Sequence, residues 1–148
     1  MPIDMSLTPI GVVKNGVKEP EKRDWKTVVS EIIVKEDLKE TLDNLEQFSH
    51  IIVLYWMHRV DSSQRSVKKV HPKGRQDLPL VGVLASRSPA RPNPIGMVIV
   101  KLLERNDNVL KVVGLDAIDG TPVLDIKPYI PNYDSPTNAQ TPSWVREC

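Results

Sequence analysis

The sequence predicts a mainly β protein, a small closed or nearly closed antiparallel β-barrel of about seven strands with one amphipathic helix. Three observations predict it. Short Val- and Ile-rich runs recur along the chain, turn residues separate them, and only one stretch carries helical spacing. At 148 residues the chain has the length of one domain with a single core.

The strand runs are "LTPIGVV" (Leu7 to Val13), "TVVSEIIV" (Thr27 to Val34), "SHIIVLYWMH" (Ser49 to His58), "LVGVLAS" (Leu80 to Ser86), "GMVIVKLLE" (Gly96 to Glu104), "NVLKVVGLDAI" (Asn108 to Ile118) and "PVLDIKPYI" (Pro122 to Ile130). Asn106, Asp107 and Asn108 separate two of them, and Asn and Asp tolerate the left-handed backbone of a tight hairpin, so those two strands are expected to be neighbours. The helix is expected over "KEDLKETLDNLEQF", where Leu38, Leu42 and Leu45 form an apolar stripe that covers one opening of the barrel. Its acidic residues leave the segment at −3, which reads as a solvated outer face. Residues 1–131 are thus read as the barrel domain. Residues 132–148 form a polar, proline-spaced tail in which Trp144 suggests packing, for which another subunit is one candidate.

Charge and composition exclude several classes. The formal net charge is +1, so no global field points to a nucleic acid or a membrane, and a polyanion site has to be a local patch. The stretch Arg59 to Gln76 is such a patch, at +5 and without strand or helix periodicity. Long loops in compact domains are usually functional or disordered. This one suits a phosphate backbone; it equally suits a flexible, solubilising segment. The single cysteine, Cys148, excludes a disulfide within the chain and fits a reducing cytoplasm, while the absence of a long apolar run argues against membrane insertion. His50, His58 and His71 lack metal-ligand spacing, so no metal is expected. No G-x-G occurs, which leaves neither a dinucleotide fingerprint nor a Walker loop, and no G-x-S-x-G elbow is present.

Two segments remain as candidates for chemistry. In "SRSPARPNPIG", Pro89, Pro92 and Pro94 remove three N–H donors and push Ser88, Arg91 and Asn93 toward extended backbone, giving a stiff rim with carbonyl oxygens outside any ladder. Such carbonyls suit a cationic ligand, Arg87 and Arg91 suit a carboxylate or phosphate, and Gly96 lets a ligand approach the backbone. A rigid connector between strands explains the same residues. In "GLDAIDGTPVLDIKPYIP", Asp116 and Asp119 offer carboxylates to a ribose or adenine, although turn chemistry alone accounts for "DG".

Together "FSHIIVLYWMHR", "GVLASRSPARPNPIGMVIVKL" and "GLDAIDGTPVLDIKPYIP", in this order and spacing, resemble the TsaA-like family, known also as TrmO. The resemblance covers most of the chain. It implies a small β-barrel methyltransferase that uses S-adenosylmethionine, works as a homodimer in the cytoplasm, and methylates N6 of threonylcarbamoyl-modified adenosine 37 in the tRNA anticodon loop. It implies cofactor contacts from His58, Arg59, Arg87, Gly96, Met97, Asp116, Ala117, Ile118 and Asp119. Substrate contacts are expected from Lys68, Lys69, Arg91, Asn93, Lys127 and Tyr129, with Tyr55, Trp56 and Tyr129 as stacking groups or core aromatics. No catalytic base is assigned. Bacterial members carry a "PRQ"-like triplet after the first strand where this chain has "VKEPEKRDWKTVV", with Pro20 and Arg23 as the stand-ins. Two other functions stay open: a nonenzymatic β-barrel RNA-binding module, and a methyltransferase of this fold acting on a small molecule or protein.

Overall fold

A computed structural model describes residues 3–20 and 23–147; Cys148 lies outside them. The strands are β1 (Gly11–Lys14), β2 (Val29–Val34), β3 (His50–Trp56), β4 (Lys69–Val70), β5 (Val81–Gly82), β6 (Ile95–Asn106), β7 (Val109–Val113) and β8 (Pro122–Pro128). Six of them close a barrel in the order β1-β2-β7-β6-β3-β8, and β4 pairs with β5 in a separate two-stranded ribbon. By internal contacts the chain divides into a barrel unit, Met1–Met57 with Gly96–Tyr129, and a second unit, His58–Ile95 with Ile130–Cys148.

The barrel closes with six strands rather than the expected seven. The run Leu80 to Ser86 contributes only the two-residue β5, because the chain then turns through a 3₁₀ segment, Val83–Ala85, into the proline-rich rim. The other six runs all supply barrel strands. Period-2 alternation fills the interior: Ile51, Val53 and Tyr55 of β3 point inward with Val13, Ile32, Val34, Val100, Leu110, Val112 and Val123. The β6–β7 hairpin forms where Asn106, Asp107 and Asn108 predict it, with Asn106 opposite Val109 and Asp107 at φ 57°.

The expected amphipathic helix is instead two 3₁₀ segments, Glu36–Leu42 and Leu45–Gln47. Asn44 at φ 74° splits the run, and Asn is among the few residues that adopt this left-handed conformation readily. Its apolar stripe still packs on the core, with Leu42 buried and Leu38 and Leu45 against it. The acidic face also does more than meet solvent. Arg105 at the hairpin reaches Asp43 Oδ1 at 3.3 Å, Glu46 Oε2 at 3.4 Å and the Lys39 carbonyl at 3.4 Å, tying the 3₁₀ run to the hairpin.

Candidate functional site

In the barrel unit the candidate is Gly114–Thr121, between β7 and β8. Gly114 turns the chain off β7 at φ 97° and gives its N–H to the Val28 carbonyl at 3.0 Å. The following residues alternate as a strand would: Leu115 and Ala117 enter the core and Asp116 faces out. They have no ladder partner, so their carbonyls are satisfied by side chains. The Tyr55 hydroxyl donates to the Asp116 carbonyl at 2.8 Å. The Asn15 amide donates to the Ala117 carbonyl at 3.0 Å and to Ser30 Oγ at 2.9 Å. The Thr121 hydroxyl donates to the Ile118 carbonyl at 2.7 Å. Ser30 and Thr121 are the two fully buried polar side chains among the described residues, and both serve this segment.

The two aspartates divide. Asp119 Oδ1 accepts the Asn15 N–H at 2.8 Å and Oδ2 pairs with Lys18 Nζ at 2.9 Å. The Lys18 ammonium and the Asn15 N–H hold its carboxyl below the usual carboxylate range. Asp119 is occupied in holding the turn. Asp116 makes no side-chain hydrogen bond or ion pair among the described residues, and desolvation pushes its carboxyl up from the ordinary value. The N–H groups of Asp116, Ala117 and Ile118 likewise meet no acceptor among the described residues. Two residues that organise this segment, Asn15 and Lys18, were absent from the sequence-based candidates. The available signal was the "NG" dipeptide at 15–16: Asn15 Oδ1 accepts the Val17 N–H at 2.9 Å, a local Asx turn that aims the amide across the barrel.

Gly96 and Met97 sit at the start of β6 on opposite faces. Gly96 is buried, and its open side is filled by Tyr55 rather than kept for a ligand: a Cβ there would stand 2.8 Å from the Tyr55 hydroxyl oxygen and nearer still to its ring. Met97 faces outward beside Ile99 and Leu103. Tyr55 is 7% exposed, which removes it from the stacking candidates. Tyr129 is half-buried with its ring edge-on to His50, and Lys127 pairs with Asp125 Oδ2 at 3.0 Å. Arg23, offered as a stand-in for the triplet, lies over the Trp25 ring, and Pro20 is exposed.

The second unit holds the other candidates. The proline-rich rim does leave carbonyls outside any ladder, and arginines of the same unit satisfy those of Ser86, Ser88 and Pro92. Arg65 donates from Nε to the Pro92 carbonyl at 2.7 Å and from Nη2 to Asn93 Oδ1 at 3.2 Å. Arg91 folds back, with Nη1 donating to the Ser86 and Ser88 carbonyls at 3.1 and 3.0 Å. Arg91 and Asn93 therefore hold the rim itself, whereas Arg87 is exposed with no partner among the described residues. Lys68 and Lys69 flank and enter the β4–β5 ribbon with exposed side chains. His58 and Arg59 form an exposed turn, and desolvation, then the adjacent guanidinium, lower the imidazole pKa below its ordinary value.

The chain forms a closed six-stranded antiparallel barrel in which side chains clamp a segment that lies outside the ladder. Residues 14–135 match the family described as tRNA-methyltransferase O N-terminal domain, and the chain belongs to that family. It is 42% identical over 137 residues to a "Probable S-adenosyl-L-methionine-binding protein" of Methanothermobacter thermautotrophicus, covering 90% of this chain and 96% of that protein. Over 105 residues it is 45% identical to the Homo sapiens "tRNA (adenine(37)-N6)-methyltransferase", covering 70% of this chain and 23% of the human protein. The solved structure of TrmO from Pseudomonas aeruginosa superposes with a TM-score of 0.73 at 30% identity, covering 93% of this chain and 62% of that one.

Proposed function

We propose that this chain is an S-adenosyl-L-methionine-dependent methyltransferase that acts on N6 of threonylcarbamoyl-adenosine 37 in the tRNA anticodon loop, as a cytoplasmic homodimer. The observation that carries the reading is the Asp116–Ile118 run, three neighbouring N–H groups that meet no acceptor among the described residues, beside a carboxylate with no hydrogen-bond or ion-pair partner among them. That donor and acceptor set fits an adenosine: ring nitrogens accept from N–H groups, and ribose hydroxyls donate to a carboxylate. The names of the archaeal and mammalian relatives support the same ligand and reaction.

S-adenosyl-L-methionine, when bound, supplies an electrophilic methyl group on sulfur. The protein's contribution is binding and alignment, which is where most of the rate comes from when the electrophile is already activated. An exocyclic adenine nitrogen is a weak nucleophile, and a carboxylate that accepts its proton assists. Asp116 is available for that part or for holding the ribose; Asp119, neutralised by Lys18, is not. His58, Arg59 and Arg87 belong to the other unit, and the share of Arg87 in cofactor binding is tested by substitution. The exposed cations Lys68 and Lys69 support an RNA contact through phosphates. The outward apolar stripe of β6, Met97, Ile99 and Leu103, supports pairing with a second copy.

The deciding experiment is radiolabelled methyl transfer into total tRNA, compared with protein and metabolite fractions. Label confined to tRNA adenosine 37 supports the reading; label in another fraction identifies a different substrate, and no binding of S-adenosyl-L-methionine leaves an RNA-binding module. Arg87→Ala is expected to weaken cofactor affinity more than Lys101→Ala by calorimetry. Reversing Lys68 and Lys69 to Glu is expected to reduce the slope of log tRNA affinity against log salt by about 1 to 2, with cofactor affinity unchanged. Light scattering at micromolar concentration is expected to give the dimer mass.

A further inference from the structure

We propose that Tyr55 is a positioning residue for the cofactor: its hydroxyl, by anchoring the Asp116 carbonyl, aims the Ala117 N–H at the bound ligand, an inference that rests on the reading of the Asp116–Ile118 run given above. A trans peptide is a rigid plane in which the carbonyl of one residue and the N–H of the next point in opposite directions. Fixing the Asp116 carbonyl against Tyr55 at 2.8 Å therefore fixes the direction of the Ala117 N–H, away from the tyrosine. The next plane is fixed in the same way, with the Ala117 carbonyl held by Asn15 at 3.0 Å and the Ile118 N–H left without an acceptor among the described residues. The segment thus holds two successive donors in set directions without a sheet ladder.

Three features make Tyr55 suited to this part. Its ring is locked, buried at 7% exposure among core residues with Gly96 of the adjacent strand leaving room for it. The β3–β8 register shifts between Leu54 and Tyr55, the extra residue being Leu124 of β8, so that Tyr55 lies opposite the buried Val123. Burial, and then the charge of Asp116, push its hydroxyl pKa up to about 12, so the group remains a donor across the working pH range. Phenylalanine at this position would fill the same core volume. The hydroxyl is the part that touches the segment.

The test is Tyr55→Phe, with Val53→Ala on the same strand as the comparison, measured by calorimetry with S-adenosyl-L-methionine and by steady-state methylation of total tRNA. Loss of one net hydrogen bond corresponds to a roughly 2- to 10-fold weaker cofactor affinity for Tyr55→Phe. The KM for S-adenosyl-L-methionine is expected to rise by the same factor, with a smaller change in kcat, while the KM for tRNA stays at its wild-type value. Val53→Ala removes core volume but no hydrogen bond to the segment, and is expected to lower Tm more than Tyr55→Phe while leaving cofactor affinity unchanged. In amide NMR of the free protein, Tyr55→Phe is expected to shift the Ala117 resonance more than those of β1 or β2. Wild-type cofactor affinity in Tyr55→Phe overturns the positioning role and leaves the cofactor reading intact. An equal loss in Val53→Ala also overturns it, since the effect would then follow stability. A wild-type protein that binds no S-adenosyl-L-methionine overturns the cofactor reading and this inference with it.

Discussion

The segment Gly114–Thr121 of the barrel unit and the rim Ser86–Pro94 of the second unit face the same problem with different means. Each is irregular backbone with several carbonyls outside any ladder. In the barrel the donors are neutral, from Tyr55, Asn15 and Thr121, and are buried or partly buried. On the rim they are the guanidinium groups of Arg65 and Arg91. Burying a charge without a counter-charge is costly, whereas a guanidinium at the surface brings several donors in a planar fork without leaving water entirely. The difference teaches where each region can carry ligand chemistry. The barrel segment spends its Asp116, Ala117 and Ile118 carbonyls, while the N–H groups of Asp116, Ala117 and Ile118 meet no acceptor among the described residues. The rim spends two arginines on itself and frees a third, Arg87.

Substitutions in the two regions are expected to differ in cost, the buried barrel segment losing most. Gly96→Ala drives a Cβ into the Tyr55 ring, and overpacking of this kind costs about 1–3 kcal/mol, to be read as a lower urea midpoint. Because the displaced ring carries the hydroxyl that holds Asp116, the same variant is expected to lose cofactor affinity. Asn15→Ala leaves the Ala117 carbonyl and the Val17 N–H without their side-chain partner, at a cost of about 1–2 kcal/mol in the same assay. Arg65→Ala releases the Pro92 carbonyl and Asn93 at the surface, where water replaces the lost donors. Its cost is expected to be below about 1 kcal/mol, with faster proteolysis confined to the rim.

The smallest effects are in the pH dependence, and the two aspartates give opposite signs. Asp119 has a folded pKa below its ordinary 3.8, so its contribution is fully present above that value and is lost as pH falls through the folded pKa. Asp119→Asn is expected to remove that part of the acid loss. Asp116 has a folded pKa above 3.8, so the stability associated with its neutral form is present below 3.8 and is lost as pH rises through the folded pKa. At neutral pH Asp116→Asn is therefore expected to raise Tm slightly while weakening cofactor binding, a combination that separates ligand chemistry from folding. Equal and same-signed shifts in the two variants would show that the aspartates are not divided as described.

How much was legible follows from the range over which each feature acts. The barrel was legible because alternation of Val and Ile along short runs is local, and so was the hairpin at Asp107. The helical stripe was read correctly in its apolar face and wrongly in its type, since Leu38, Leu42 and Leu45 suit either spacing and Asn44 decided for two 3₁₀ pieces. The stiff, donor-poor rim was legible from its prolines. That Arg65 and Arg91 would fill its carbonyls was not, because Arg65 comes from 27 residues before Pro92.

The sequence by itself determined the β architecture, the hairpin, the proline rim and, through its motifs, the resemblance to a methyltransferase family. The tertiary structure alone decided which polar groups are occupied and which are free. Asp116 and Asp119 are equivalent as letters, and Arg87 and Arg91 nearly so. Asn15 stands 104 residues from Asp119 and Tyr55 stands 61 from Asp116. Closing the barrel brings those pairs within hydrogen-bond distance, and a hydrogen bond acts over about 3 Å regardless of separation along the chain.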